Sequence, residues 1–133
     1  MPSFPVLAED VPISVESAWV REGPPVATTL AGYMIITNRS QAPVSVQAAR
    51  SDDFDRVEFH RSVLVDGVAR MEREDQITVP ALGQVVFEPG GRHVMLIGPS
   101  KPLASGDTIA LTLMLEDGRE IDIAVPVRRS PAQ

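Results

Sequence analysis

Two histidines and two methionines hold most of the chemistry this sequence can offer. His60 and His93 are its only histidines, and Met71 and Met95 are two of its five methionines. No cysteine occurs in the 133 residues, which excludes disulfides, thiolate metal sites, iron–sulfur clusters and cysteine nucleophiles. Any soft-metal chemistry must therefore use thioether sulfur. Two neutral imidazoles and two neutral thioethers suit a soft, singly charged ion that tolerates low coordination, and Cu(I) is the biological metal with those preferences. Zinc fits less well, because its structural sites want thiolates and its catalytic sites want histidines and carboxylates. The acidic run Ser51-Asp52-Asp53-Phe54-Asp55 lacks the spaced oxygen ligands and the glycine of an EF-hand and reads as a solvated loop. Each of the four residues also has a plainer reading. Methionine fills irregular cores, and a histidine can sit on a strand surface or flank a turn as a hydrogen-bond donor.

Whether the four could meet depends on the elements that carry them. Short segments rich in Val, Ile and Thr alternate apolar and polar residues, and none sustains the apolar spacing of a helix. Strands are predicted over 11–19, 32–37, 44–49, 56–65, 68–73, 76–79, 84–88, 93–97, 108–115 and 120–127. Turn chemistry separates them at Gly23-Pro24-Pro25, Asn38-Arg39-Ser40, Asp66-Gly67, Pro89-Gly90-Gly91, Ser105-Gly106-Asp107 and Asp117-Gly118. The expected fold is an all-β sandwich with Greek-key connections. A two-residue loop at Asp66-Gly67 pairs Val65 with Val68 and sets the register outward, so Met71 falls opposite Ser62 and diagonal to His60 on one face. His93 and Met95, one residue apart in a single strand, also share a face. Geometry thus yields two His/Met pairs without joining them.

Composition sets the outer bounds. One domain of 1–133 is expected, with loose tails at about 1–10 and 128–133, and a chain of this length buries roughly two-thirds of its unfolded surface. An apolar fraction of 44% and a charged fraction of 23% are ordinary for a folded protein. The net charge of −6 and a pI near 4.8 argue against nucleic-acid binding, which needs clustered Lys and Arg. No apolar run is long enough for a membrane span, and Met1-Pro2-Ser3-Phe4-Pro5 lacks the basic and apolar segments of a signal peptide.

The residues also carry a resemblance. His60, ten residues, Met71, twenty-one residues, then His93-Val94-Met95 resembles the motif of the periplasmic PCu(A)C-like copper chaperones. The likeness extends to Val57-Glu58-Phe59-His60, to Asp66-Gly67-Val68-Ala69-Arg70-Met71 and to Pro89-Gly90-Gly91-Arg92-His93-Val94-Met95-Leu96. It reaches Ala18-Trp19-Val20-Arg21, Ala31-Gly32-Tyr33, Thr37-Asn38, Lys101-Pro102-Leu103 and Gly106-Asp107-Thr108, most of the chain. The resemblance implies a cupredoxin-like or immunoglobulin-like Greek-key β-sandwich at the extracytoplasmic or periplasmic face of a bacterium. It further implies one Cu(I) on His60, Met71, His93 and Met95, delivered to the binuclear copper centre of cytochrome c oxidase, directly or with a Sco-type thiol protein. Arg61 follows the first His where some members have another Met, and no His- and Met-rich tail is present, so a second copper site is not expected. A monomer is expected.

Glu58 shares a strand face with His60, a position from which a carboxylate can orient an imidazole, but it reads as an exposed carboxylate outside the expected site. Arg61 and Arg92 read as surface-solvating residues on the opposite face. The competing reading is a metal-free β-sandwich interaction module. An enzyme is not expected, since the sequence has no Gly-x-Ser-x-Gly elbow and no His-Glu-x-x-His pair.

Overall fold

A computed structural model describes residues 11–130. The tails expected at 1–10 and at the last three residues lie outside the described residues, whereas Arg128 closes the last strand. Among the described residues there is no helix, and ten strands follow in order: β1 Ile13–Arg21, β2 Thr29–Asn38, β3 Val44–Arg50, β4 Phe54–Val65, β5 Val68–Glu74, β6 Ile77–Val79, β7 Gln84–Phe87, β8 Arg92–Pro99, β9 Thr108–Leu115 and β10 Glu120–Arg128. Each coincides with a predicted strand, displaced by a few residues at most. The alternation that predicted them is visible in their burial. Along β9, Ile109, Leu111, Leu113 and Leu115 are buried while the residues between them face outward.

The strands form one continuous ribbon in the order β5-β4-β8-β7-β2-β1-β10-β9-β3-β6. The ribbon folds into two layers where β1 and β10 meet, a short parallel junction of Val20 with Val127 and Arg21 with Arg128. One core cluster joins the layers, with Ile36, Phe59, Val94 and Leu96 from one side and Val46, Val79, Ile109 and Leu113 from the other. Burying each such side chain contributes about 1.5–3 kcal/mol, so this cluster is the main reason the ribbon closes. The one deeply buried side-chain amide among the described residues, Asn38, has its hydrogen bonds met: Nδ2 donates to the carbonyls of Ala42 and Val79 at 2.8 and 3.1 Å, and Oδ1 accepts from the Ser40 amide at 2.9 Å.

Two features of the first layer place the residues of interest. The far edge of β2 is shared, with Met34–Thr37 pairing to β7 and Thr29–Gly32 to β8. That brings β8 between β2 and β4. The β4–β5 hairpin turns at Asp66 (φ 52°) and Gly67 (φ 80°), the left-handed pair that a two-residue turn matching strand twist requires. Val65 pairs with Val68 and Ser62 with Met71, the register the turn predicts. Residues 68–73 of β5 are all exposed, so the hairpin is an edge rather than part of the core.

Candidate metal centre

β4 lies between β5 and β8, and its pairing to both decides which side chains meet. Against β8, His60 stands directly opposite His93 and Glu58 opposite Met95. Against β5, Ser62 stands opposite Met71. Phe59, Val94 and Leu96 point into the core, so His60, His93, Met71 and Met95 share the other face of the sheet. The imidazoles of His60 and His93 stack with centroids 5.7 Å apart and planes inclined by 29°. Met71 and Met95 each occupy a diagonal position relative to His60, where backbones lie about 7–8 Å apart and long side chains can reach. Ala31, opposite Met95 on β2, is small enough to leave that thioether room. The two pairs that sequence geometry left separate thus adjoin through the β4–β8 ladder.

Their depths differ. His93 is only 7% exposed although it faces away from the core, because strands flank it on both sides. Met95 is half-buried, and the His60 side chain is 16% exposed. Met71, on the edge strand, is 56% exposed.

Glu58 corrects the sequence reading. Its side chain is only 15% exposed, and its Oε1 lies 2.9 Å from His60 Nε2. Its Oε2 accepts from Arg56 Nε at 3.1 Å and lies 3.8 Å from Arg73 Nη1. The hydrogen bond to His60 holds the Glu58 carboxyl below the usual carboxylate range; burial opposes this, and Arg73 and Arg56 reinforce it. With Nε2 engaged, His60 Nδ1 is the only buried side-chain nitrogen or oxygen, among the described residues, that lacks a hydrogen-bond partner. Burial, and secondly the nearby His60, push the His93 imidazole below its usual pKa, with the Gly91 backbone acting the other way. Neutral, lone-pair-bearing imidazole is the form metals bind. Spacing of two residues on a strand was the available signal for Glu58, since it already put the carboxylate on the face of His60.

Arg61 and Arg92 do point to the opposite face, but as partners of β5: Arg92 Nε donates to Glu74 Oε1 at 2.8 Å, and Arg61 Nη2 lies 3.5 Å from Glu72 Oε1. Among the described residues, no three of His, Asp and Glu gather as a metal site. A site on this face needs the thioethers, and two imidazoles with two thioethers favour a soft ion of low coordination number.

Comparison with known proteins bears on what such a face is for. A family model described as "Putative lipoprotein LpqE-like" matches residues 13–127. The structure titled "Copper-bound PCuAC domain from PmoF2" is 31% identical to the chain, over 90% of this chain and 94% of that one, with a TM-score of 0.75. The chain belongs to the LpqE-like, PCuAC-type family. The cupredoxin-like sandwich implied by the motif is the fold this PCuAC-type chain has. DR1885 of Deinococcus radiodurans is similar in its apo solution structure, at 30% identity over 98% of this chain and 90% of that one, with a TM-score of 0.71. Its CuI form is 32% identical over 85% of this chain and 76% of that one, with a TM-score of 0.68. Among curated proteins, "Putative lipoprotein Lxx21020" of Leifsonia xyli subsp. xyli is 31% identical over 117 residues, 87% of this chain and 69% of that protein. "Uncharacterized protein RP573" of Rickettsia prowazekii is 28% identical over 96 residues, 71% of this chain and 53% of that protein, so the chain spans about half its length.

Proposed function

We propose that this PCuAC-type chain is an extracytoplasmic metallochaperone that carries one Cu(I) ion on His60, Met71, His93 and Met95 and passes it on by ligand exchange. The observation that carries the reading is the stacked His60–His93 pair, flanked by two thioethers on one sheet face, with a buried His60 Nδ1 that has no partner. All four donors are neutral. They match a monovalent soft cation and offer little to divalent hard ions. The copper-bound PmoF2 domain and the CuI form of DR1885 support the choice of metal. The lipoprotein description of the family supports an extracytoplasmic site of action.

Cargo is held rather than transformed. Two imidazoles and two thioethers would give Cu(I) four neutral protein ligands and leave no vacant position for a substrate. Release begins where the ligand is most accessible. A thiolate from the acceptor forms its bond to copper as the bond to the exposed Met71 sulfur breaks, and the remaining neutral donors follow. The greater affinity of thiolate for Cu(I) drives the transfer. By family resemblance, the acceptor is the binuclear copper centre of cytochrome c oxidase, reached directly or with a Sco-type thiol protein as partner.

Titration with Cu(I) against a competing chromogenic chelator tests the proposal. One ion per chain is expected, with weaker binding in Met71→Leu, Met95→Leu, His60→Ala and His93→Ala. Unchanged binding in one variant removes that residue from the site. No stoichiometric uptake by the parent protein would favour the metal-free interaction module instead.

A further inference from the structure

The hydrogen bond between Glu58 and His60 determines more than the position of a ring. An ionised carboxylate can only accept, so the 2.9 Å contact between Glu58 Oε1 and His60 Nε2 requires the imidazole proton to sit on Nε2. A neutral ring protonated at Nε2 has its lone pair on Nδ1. That atom is the buried nitrogen without a partner. Glu58 is itself held in place, because its second oxygen is gripped by Arg56 Nε at 3.1 Å with Arg73 Nη1 3.8 Å away, and its side chain is largely enclosed. The carboxylate and the imidazole belong to the same strand two residues apart, so their approach survives small shifts between strands.

We propose that Glu58 is a positioning residue that fixes the Nε2–H tautomer and ring orientation of His60, so that the metal is taken at Nδ1. The identity of the metal rests on the copper reading above; the tautomer does not. Without the carboxylate, the ring can turn about its bond to Cβ and present either nitrogen. A partner outside the ligand set that orients a metal-binding histidine typically accounts for about ten- to hundredfold in affinity.

Nitrogen NMR on histidine-labelled protein tests this in two arms. In the metal-free protein, the His60 Nε2 proton is expected to be hydrogen-bonded and slow to exchange in the parent, and to exchange rapidly in Glu58→Ala. Glu58→Gln adds a distinct outcome: Arg56 can only donate and so takes the amide oxygen, which turns the NH2 toward His60 Nε2 and should move the ring proton to Nδ1. In the second arm Ag(I) replaces Cu(I), because silver nuclei split the resonance of a bonded nitrogen. The splitting is expected at His60 Nδ1 in the parent and should be lost from Nδ1 in Glu58→Gln. In Glu58→Ala it should be spread over both nitrogens, with affinity lower by about tenfold or more. Silver bound through Nε2 in the parent overturns the proposal and leaves the copper reading intact. So does a Glu58→Ala protein that still uses Nδ1 alone with unchanged affinity. Absence of splitting at both His60 and His93 overturns the copper reading and the metal half of this proposal together.

Discussion

Met71 and Met95 offer the same thioether at different depths, and their substitutions should separate accordingly. Met71 is mostly exposed on an edge strand, so Met71→Leu should change unfolding free energy by less than about 0.5 kcal/mol while weakening Cu(I) binding. Urea unfolding beside a chelator competition checks both halves; loss of stability equal to the loss of affinity would count against a ligand role. His93 predicts a pH effect on the metal-free protein. Its folded pKa lies below the ordinary 6.5, mainly through burial, so between the two values the unfolded chain binds the proton that the folded chain refuses. Stability is therefore full above about 6.5 and is lost as pH falls through the folded value. The urea midpoint should drop on acidification from pH 7 to pH 5, and His93→Gln should flatten that slope. An equal slope in the variant would show that other groups cause it. Proton competition for the imidazoles should weaken copper binding in the same direction.

The element that matters most is the β4–β5 hairpin, because its two-residue turn sets where Met71 falls. Asp66 and Gly67 both adopt positive φ, and at 80° Gly67 is where a side chain costs most. Gly67→Ala should destabilise the hairpin by about 1–2 kcal/mol. Copper affinity should fall with it, since the Val65–Val68 pairing propagates to Ser62 and Met71. Unchanged affinity in a destabilised hairpin would mean that Met71 does not need this register. This part of the architecture was legible in the sequence: Asp66-Gly67 between alternating strands specifies turn, register and face together. The hairpin extends along the sheet edge beyond the core, where Arg61 with Glu72 and Arg92 with Glu74 brace it on the face opposite Met71.

At the scale of the whole molecule, the core and the candidate site are opposite faces of the same strands. Val94 and Leu96 pack inward from β8 while His93 and Met95 face out, and Phe59 does the same beside His60 on β4. Stability and metal affinity should therefore be separable. Leu113→Ala, which empties a fully buried position in the second layer, should cost about 2–5 kcal/mol and leave the affinity of the folded protein unchanged. Thermal unfolding and chelator competition on one preparation decide it; a parallel fall in affinity would mean that the site feels core packing directly.

All ten strands and the hairpin register were readable in the residues, because alternation and turn chemistry act over a few neighbours and need no distant partner. The two His/Met pairs were legible for the same reason. That they adjoin was implied by the family resemblance alone and not by local geometry, since β4 and β8 are separated by three intervening strands in the chain. Their pairing is set by how Phe59, Val94 and Leu96 fill one core, with Phe59 and Phe87 rings 6.0 Å apart. Tertiary structure alone also decided the depth of each donor and the enclosure of Glu58. Those depend on which strands flank a residue, a property that local periodicity does not encode.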